Sequence, residues 1–228
     1  MAIHLGSRYT TYAFDLFFHG ASRWDENTPL KKSVFKTILE KFFQTESIEH
    51  FSVLGFSMGA RFSLACIEAF PYRVKEVFLL APDGIRLNPW YAVSVYPWSL
   101  RWFFKQVATK EHWFTNVLQF LEKRGWIDGM LARFASYQMG TPEKRLRVYQ
   151  TWVTFRKLIF RQSKLARILN KQGITTTLIV GKHDPVIRPK DVEPFRTKLH
   201  QCHWQVLHAG HHDLIRLGIS VISEHSRY

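Results

Sequence analysis

FSVLGFSMGARFSLACIEAFPYRV, residues 51–74, decides the fold class of this 228-residue chain. Phe51 to Leu54 is a short β-prone run that ends at Gly55. Ala60 to Phe70 reads as a helix, and Pro71 stops it. Between them stands Gly55-Phe56-Ser57-Met58-Gly59. A G-x-S-x-G set between a strand and a helix marks a serine on a sharp, strained turn. Side chains two residues to either side would collide there, hence glycine at 55 and 59. The bland alternative is a tight turn with a passive serine, and the strand-to-helix placement argues against it.

Outward from this turn, short β-branched and aromatic runs alternate with helical stretches. Tyr9 to Leu16 (YTTYAFDL) is expected to be a buried strand, and Pro29 to Thr45 a helix with apolar positions at Val34, Ile38 and Phe42. Val77 to Ala81 (VFLLA) reads as a buried strand, followed by a turn at Pro82-Asp83-Gly84. Ile174 to Val180 (ITTTLIV) and Trp204 to Leu207 are two more strands, with helices expected near 190–200 and 212–224. Alternating strands and helices imply an α/β fold: a mostly parallel sheet with helices on both faces. Residues 86–170 differ. They hold no comparable strand run, and Leu100 to Val107, Trp113 to Glu122, Ile127 to Ser136 and Pro142 to Leu169 read as helices. Thr141 is the expected N-cap of the last, with Pro142 at its first position. The expected organisation is a core of 1–85 and 171–228 interrupted by an all-helical cap, or lid, at 86–170.

The charge follows the same division. The chain carries a net +14, from 32 Lys plus Arg and 18 Asp plus Glu. Residues 86–170 hold 15 basic and 4 acidic side chains and six of the eight tryptophans. A hydrophobic fraction of 46% excludes a disordered chain, and two cysteines exclude a disulfide scaffold. MAIHLGSRYTTYAFDLFF lacks the order of a signal peptide, and no window offers 18 uninterrupted apolar residues. The expectation is a cytoplasmic protein. No nucleic-acid recognition motif accompanies the positive charge, so no nucleic-acid partner is expected.

A nucleophilic serine needs a base, and the base needs an orienting acid, both at the ends of later strands in the order Ser, Asp, His. Asp184 follows ITTTLIV within GKHDPVIRP, and His211 follows WQVLH within AGHHDLI. Asp83, also after a strand, is the rival acid. His208, His211 and His212 have a spacing that invites a metal reading, but no cysteine or carboxylate ligand stands near them; no metal and no cofactor are expected. His19 is read as ordering its loop, and Cys66 as core.

With these residues in view, the chain resembles the α/β-hydrolase superfamily over nearly its whole length. The elbow GFSMGA, the helix ending in PYRV, the strand VFLLAP, the GxxDxxxxP stretch from Gly181 to Pro189 and Ala209-Gly210-His211 are all similar to members of it. AFDLFFHGAS, residues 13–22, is similar to the family's D-x-x-G-H-G-x-S segment, with Phe18 where glycine is usual. The resemblance implies Ser57 as nucleophile, His211 as general base and acid, Asp184 as orienting carboxylate and the Met58 N–H as one oxyanion donor. It also places the helical insertion where the family carries its cap.

One part of the family pattern finds no match: the third strand and the His-Gly loop that supplies a second oxyanion N–H. Two expectations follow. Either the sequence lacks the N-terminal strands of a longer hydrolase, or residues 9–16 and 51–55 pair directly; losing one oxyanion donor costs about 10²–10³ in rate. The expected function is hydrolysis of a carboxylic ester or related acyl compound, with an apolar or anionic small-molecule acyl substrate. Carbon–carbon bond hydrolysis by the same three residues stays open. So does a non-catalytic protein whose basic, aromatic cap contacts anionic membrane surfaces.

Overall fold

The computed structural model describes residue 6 and residues 8–225. They form two compact units: one of residue 6 and residues 8–14, 31–86 and 158–225, the other of residues 15–30 and 87–157.

The first unit holds all the strands among the described residues. These are β1 (Phe51–Phe56), β2 (Val74–Leu80), β3 (Thr175–Gly181) and β4 (Cys202–Leu207), ordered β1-β2-β3-β4 and parallel throughout. Its helices are α1 (Lys32–Thr45), α2 (Met58–Ala69), α8 (Gln162–Lys171), α9 (Pro189–Arg196) and α10 (Asp213–His225). In β2 and β3 the burial runs through consecutive residues, Val77 to Leu80 and Thr176 to Gly181. Successive side chains point to opposite faces, so such runs require cover on both. α2 packs on β1 and β2, and α10 packs on β2, β3 and β4. β1 and β4, at the two ends of this strand order, are less buried than β2 and β3. Glu68 of α2 bridges Lys32 of α1 (2.5 Å) and Lys164 of α8 (3.4 Å), tying three helices together.

The expected strand at 9–16 is absent. Those residues run as irregular, largely exposed chain, and among the described residues β1 has a strand partner on one side only. Direct pairing of 9–16 with 51–55 is therefore not what the chain adopts. Instead, Tyr12 and Phe14 set their rings edge-on against Phe42 of α1, at 5.1 and 4.8 Å, and the Tyr9 hydroxyl donates to Glu76 (2.7 Å). β-propensity describes a fit to a pleated neighbour, and aromatic contacts with a helix satisfy the same side chains without one.

The second unit holds α3 (Pro89–Val95), α4 (Trp98–Thr109), α5 (Glu111–Lys123), α6 (Gly129–Gln138) and α7 (Pro142–Phe155). Three of these starts have side-chain caps. Asn88 accepts from the Trp90 N–H (2.9 Å), Asp128 from Leu131 (2.8 Å) and Thr141 from Lys144 (3.3 Å). The core here is aromatic: Tyr91, Val95 and Phe104, with Tyr149 and Trp152 packed against them. The Tyr91 hydroxyl donates to the Trp152 carbonyl (3.0 Å). In the 15–30 segment, His19 donates from Nδ1 to the Phe17 carbonyl (3.2 Å) and from its N–H to Leu16 (2.9 Å). Phe18 takes φ 71°, a left-handed conformation that glycine adopts freely.

The helix expected over 142–169 is two helices in different units. Residues 156–161 break it without glycine or proline, because Leu158 and Phe160 are buried while Ile159 between them is exposed. That alternation of period two requires extended chain. α8 consequently belongs with the sheet, and residues 15–30 belong with the helical unit, which differs from the expected 86–170 boundary at both places.

Candidate active site

Ser57 lies between β1 and α2 with φ 49° and ψ −121°. Its N–H donates to the Leu80 carbonyl (2.9 Å), and its own carbonyl accepts from Ala60 (3.0 Å) and Asp83 (3.1 Å). The turn needs Gly55. A Cβ there would stand 2.5 Å from Ser63 Oγ and 2.6 Å from Ala60 Cα. At Gly59, by contrast, an added Cβ would meet nothing within 4 Å among the described residues. The collision expected on both sides of the serine therefore operates only on the N-terminal one.

Asp184 and His211 arrive from the ends of β3 and β4. Parallel strands bring their C-terminal ends to one edge of the sheet, so residues 57, 184 and 211 converge despite their separation in sequence. His211 Nε2 is 3.0 Å from Ser57 Oγ, and His211 Nδ1 is 2.6 Å from Asp184 Oδ2. An ionised carboxylate can only accept, so Nδ1 carries the proton and Nε2 is left to accept from the serine hydroxyl. Asp184 Oδ1 accepts from the N–H groups of Val186 (2.7 Å) and Ile187 (2.9 Å), an Asx-type turn that fixes the carboxylate. The side chains of Asp184 and His211 are 0% and 4% exposed, so the bond between them lies out of bulk water, while Ser57 is half-buried. Phe56 packs its ring against His211 at 4.9 Å.

Met58 occupies the first position of α2, where backbone N–H groups have no intrahelical acceptor and the helix end favours negative charge. The rival acid Asp83 is committed elsewhere: Arg61 donates to it from Nε (2.6 Å) and Nη2 (3.1 Å). His208 stacks edge-on with His183 (5.7 Å), and His212 is exposed beside His211 (5.8 Å between rings). Among the described residues no three His, Cys, Asp or Glu side chains are grouped to hold a metal ion. Arg61 went unnoticed in the sequence, where an arginine on a helix reads as solvated; here it is buried.

Comparison with known proteins agrees with this architecture. No curated protein matches the chain in sequence. In structure it is similar to a meta-cleavage product hydrolase (CumD) from Pseudomonas fluorescens IP01, at 18% identity and TM-score 0.61, covering 98% of this chain and 81% of that one. It is also similar to a thermophilic esterase from Thermogutta terrifontis (14%, TM-score 0.62, 91% and 76%) and to the enol-lactonase from Burkholderia xenovorans LB400 (14%, TM-score 0.59, 92% and 76%). At these identities the likeness is one of fold. The sequence model of the alpha/beta hydrolase fold matches residues 1–216, and the chain belongs to that family.

Proposed function

We propose that this protein is a serine hydrolase that cleaves a carboxylic ester or related acyl compound through Ser57, His211 and Asp184. One observation carries the reading: the unbroken hydrogen-bond chain from the buried Asp184 through the buried His211 to the half-buried Ser57. His211 Nε2 takes the proton as Ser57 Oγ attacks the acyl carbon. The resulting oxyanion accepts from the Met58 N–H, and the proton on His211 passes to the departing alcohol. Water then attacks the acyl-enzyme with the same base, releasing the carboxylic acid and regenerating Ser57. Asp184 holds the imidazole in the required tautomer and stabilises its charged form. The helical insertion takes the role of the family's cap and sets substrate preference, toward apolar or anionic acyl groups. Two free cysteines suit a reducing compartment such as the cytoplasm.

Carbon–carbon bond hydrolysis is the second reading, favoured by the structural likeness to a meta-cleavage product hydrolase over 98% of the chain. A non-catalytic surface protein is the third, favoured by the exposed Trp98 and Trp102, one turn apart on α4 beside Lys105. One experiment separates them. A fluorophosphonate probe is expected to label the protein and to fail on Ser57→Ala, and wild type is expected to turn over an aryl acetate faster than a ring-opened dienoic keto acid. The reverse preference favours carbon–carbon cleavage. Salt-sensitive binding to anionic vesicles without labelling favours the surface protein.

A further inference from the structure

The nucleophile turn and the loop after β2, which are hydrogen-bonded to each other, both take left-handed backbone conformations. Ser57 has φ 49°, and in the loop after β2 Ala81 has φ 40° and Gly84 has φ 98°. Left-handed conformations at non-glycine residues persist only where their surroundings over-determine them. The surroundings here form a closed ring. The Ser57 carbonyl accepts from the Asp83 N–H (3.1 Å), and the Asp83 carboxylate takes both prongs of Arg61. Arg61 returns to Ser57 through one turn of α2.

The pair is built for orientation. Arg61 is 3% exposed at its side chain and Asp83 19%, and a planar guanidinium bound through two nitrogens fixes angle as well as distance. The stem of Arg61 lies so close to Gly84 that a Cβ there would stand 2.9 Å from Arg61 Cγ. A buried ion pair adds little net stability over apolar side chains of the same volume, so stability alone does not account for it. What it does hold is the backbone of loop 81–84. That loop supplies the Asp83 N–H that donates to the Ser57 carbonyl, and it begins directly after Leu80, the end of β2, whose carbonyl accepts from the Ser57 N–H.

We propose that the Arg61–Asp83 pair is a positioning device that sets the backbone angles of Ser57, and so aims Oγ at His211 and the Met58 N–H at the oxyanion. This rests on the reading of Ser57 as nucleophile. The test follows phosphonylation by a fluorophosphonate. In that step the Ser57 Oγ–P bond forms, the P–F bond breaks, fluoride leaves and the serine proton passes to His211. Rate constant (kinact), apparent affinity (KI) and final labelling stoichiometry are measured for wild type, Ser57→Ala, Asp83→Asn and Arg61→Lys.

In Asp83→Asn, kinact is expected to fall on the order of 10- to 100-fold, with KI unchanged and every folded molecule eventually labelled. Arg61→Lys keeps the charge and loses the fork, and should fall by less. A role in stability alone would lower the melting temperature or the labelled fraction while kinact stayed at the wild-type value, and that result overturns the proposal. Should Asp83→Asn fail to fold, Arg61→Lys carries the decision by the same two readouts. Labelling that survives in Ser57→Ala overturns the nucleophile reading and this proposal together, whereas an inert Ser57→Ala with wild-type kinact in both other variants overturns the positioning role alone.

Discussion

A methyl group added at position 55 would stand 2.5 Å from one side chain and 2.6 Å from a backbone atom, and one added at 59 would meet nothing within 4 Å among the described residues. The two glycines of the same motif therefore do different work. Gly55→Ala is expected to lose about 1–3 kcal/mol, because α2 must shift away from β1. Gly59→Ala, in the first turn of α2, is expected to be neutral or to gain up to ~1 kcal/mol from helix propensity. Denaturant melts of the two variants check this, and equal losses would contradict the contact geometry. Ser57, Asp184 and His211 were legible in the sequence because each ends a recognisable strand and is flanked by turn-forming residues. Arg61 was not legible. Whether an arginine on a helix meets solvent or a buried carboxylate depends on a loop 22 residues away in the chain.

At the scale of elements, burial governs the chemistry of side chains that the motif does not use. Cys66 sits in α2 with its thiol out of water, and desolvation of the thiolate pushes its pKa up to about 12. The folded protein thus holds Cys66 neutral at any ordinary pH, and reactivity follows the thiolate. At pH 8 an aromatic disulfide reagent is expected to react slowly with the half-buried Cys202, whose pKa burial also raises, and with Cys66 only after unfolding. Rapid reaction of two thiols in the native protein would show α2 to be loosely packed. The sign also fixes a pH window. A thiol whose pKa is raised by folding favours the folded state below the pKa of the unfolded chain, and that contribution is lost as pH rises toward 12. The four strands of the sheet were readable from their composition, at 51–54, 77–81, 174–180 and 204–207, with ends that differ by up to three residues from those observed. YTTYAFDL was misread because its composition fits a strand equally well, and only the absence of a neighbouring ladder tells the two cases apart.

For the whole molecule, the division into units reassigns the charge. Arg86, Arg161, Lys164 and Arg167 fall in the sheet-bearing unit, and Asp15, Arg23, Asp25 and Glu26 fall in the helical one. The sheet-bearing unit then holds 20 basic and 11 acidic side chains, and the helical unit 12 and 7. The positive field that the sequence placed mostly on the insertion is thus shared, with the greater part on the unit that carries Ser57. An excess of this size steers anions by long-range attraction that salt screens over about 10 Å at 0.1 M. For an aryl ester bearing a carboxylate, kcat/KM is expected to fall several-fold between 20 and 500 mM salt, while a neutral analogue changes little. Equal salt dependence for both would remove the case for anionic substrates. Sequence alone made the four strands of the sheet and the turn at Ser57 readable, and pointed to Asp184 and His211 as its partners, because periodicity and turn chemistry are local properties. Tertiary structure decided which face of the arginine-bearing helix is buried, that residues 9–16 stay out of the sheet, and where one unit ends and the other begins, because each depends on contacts between segments far apart in the chain.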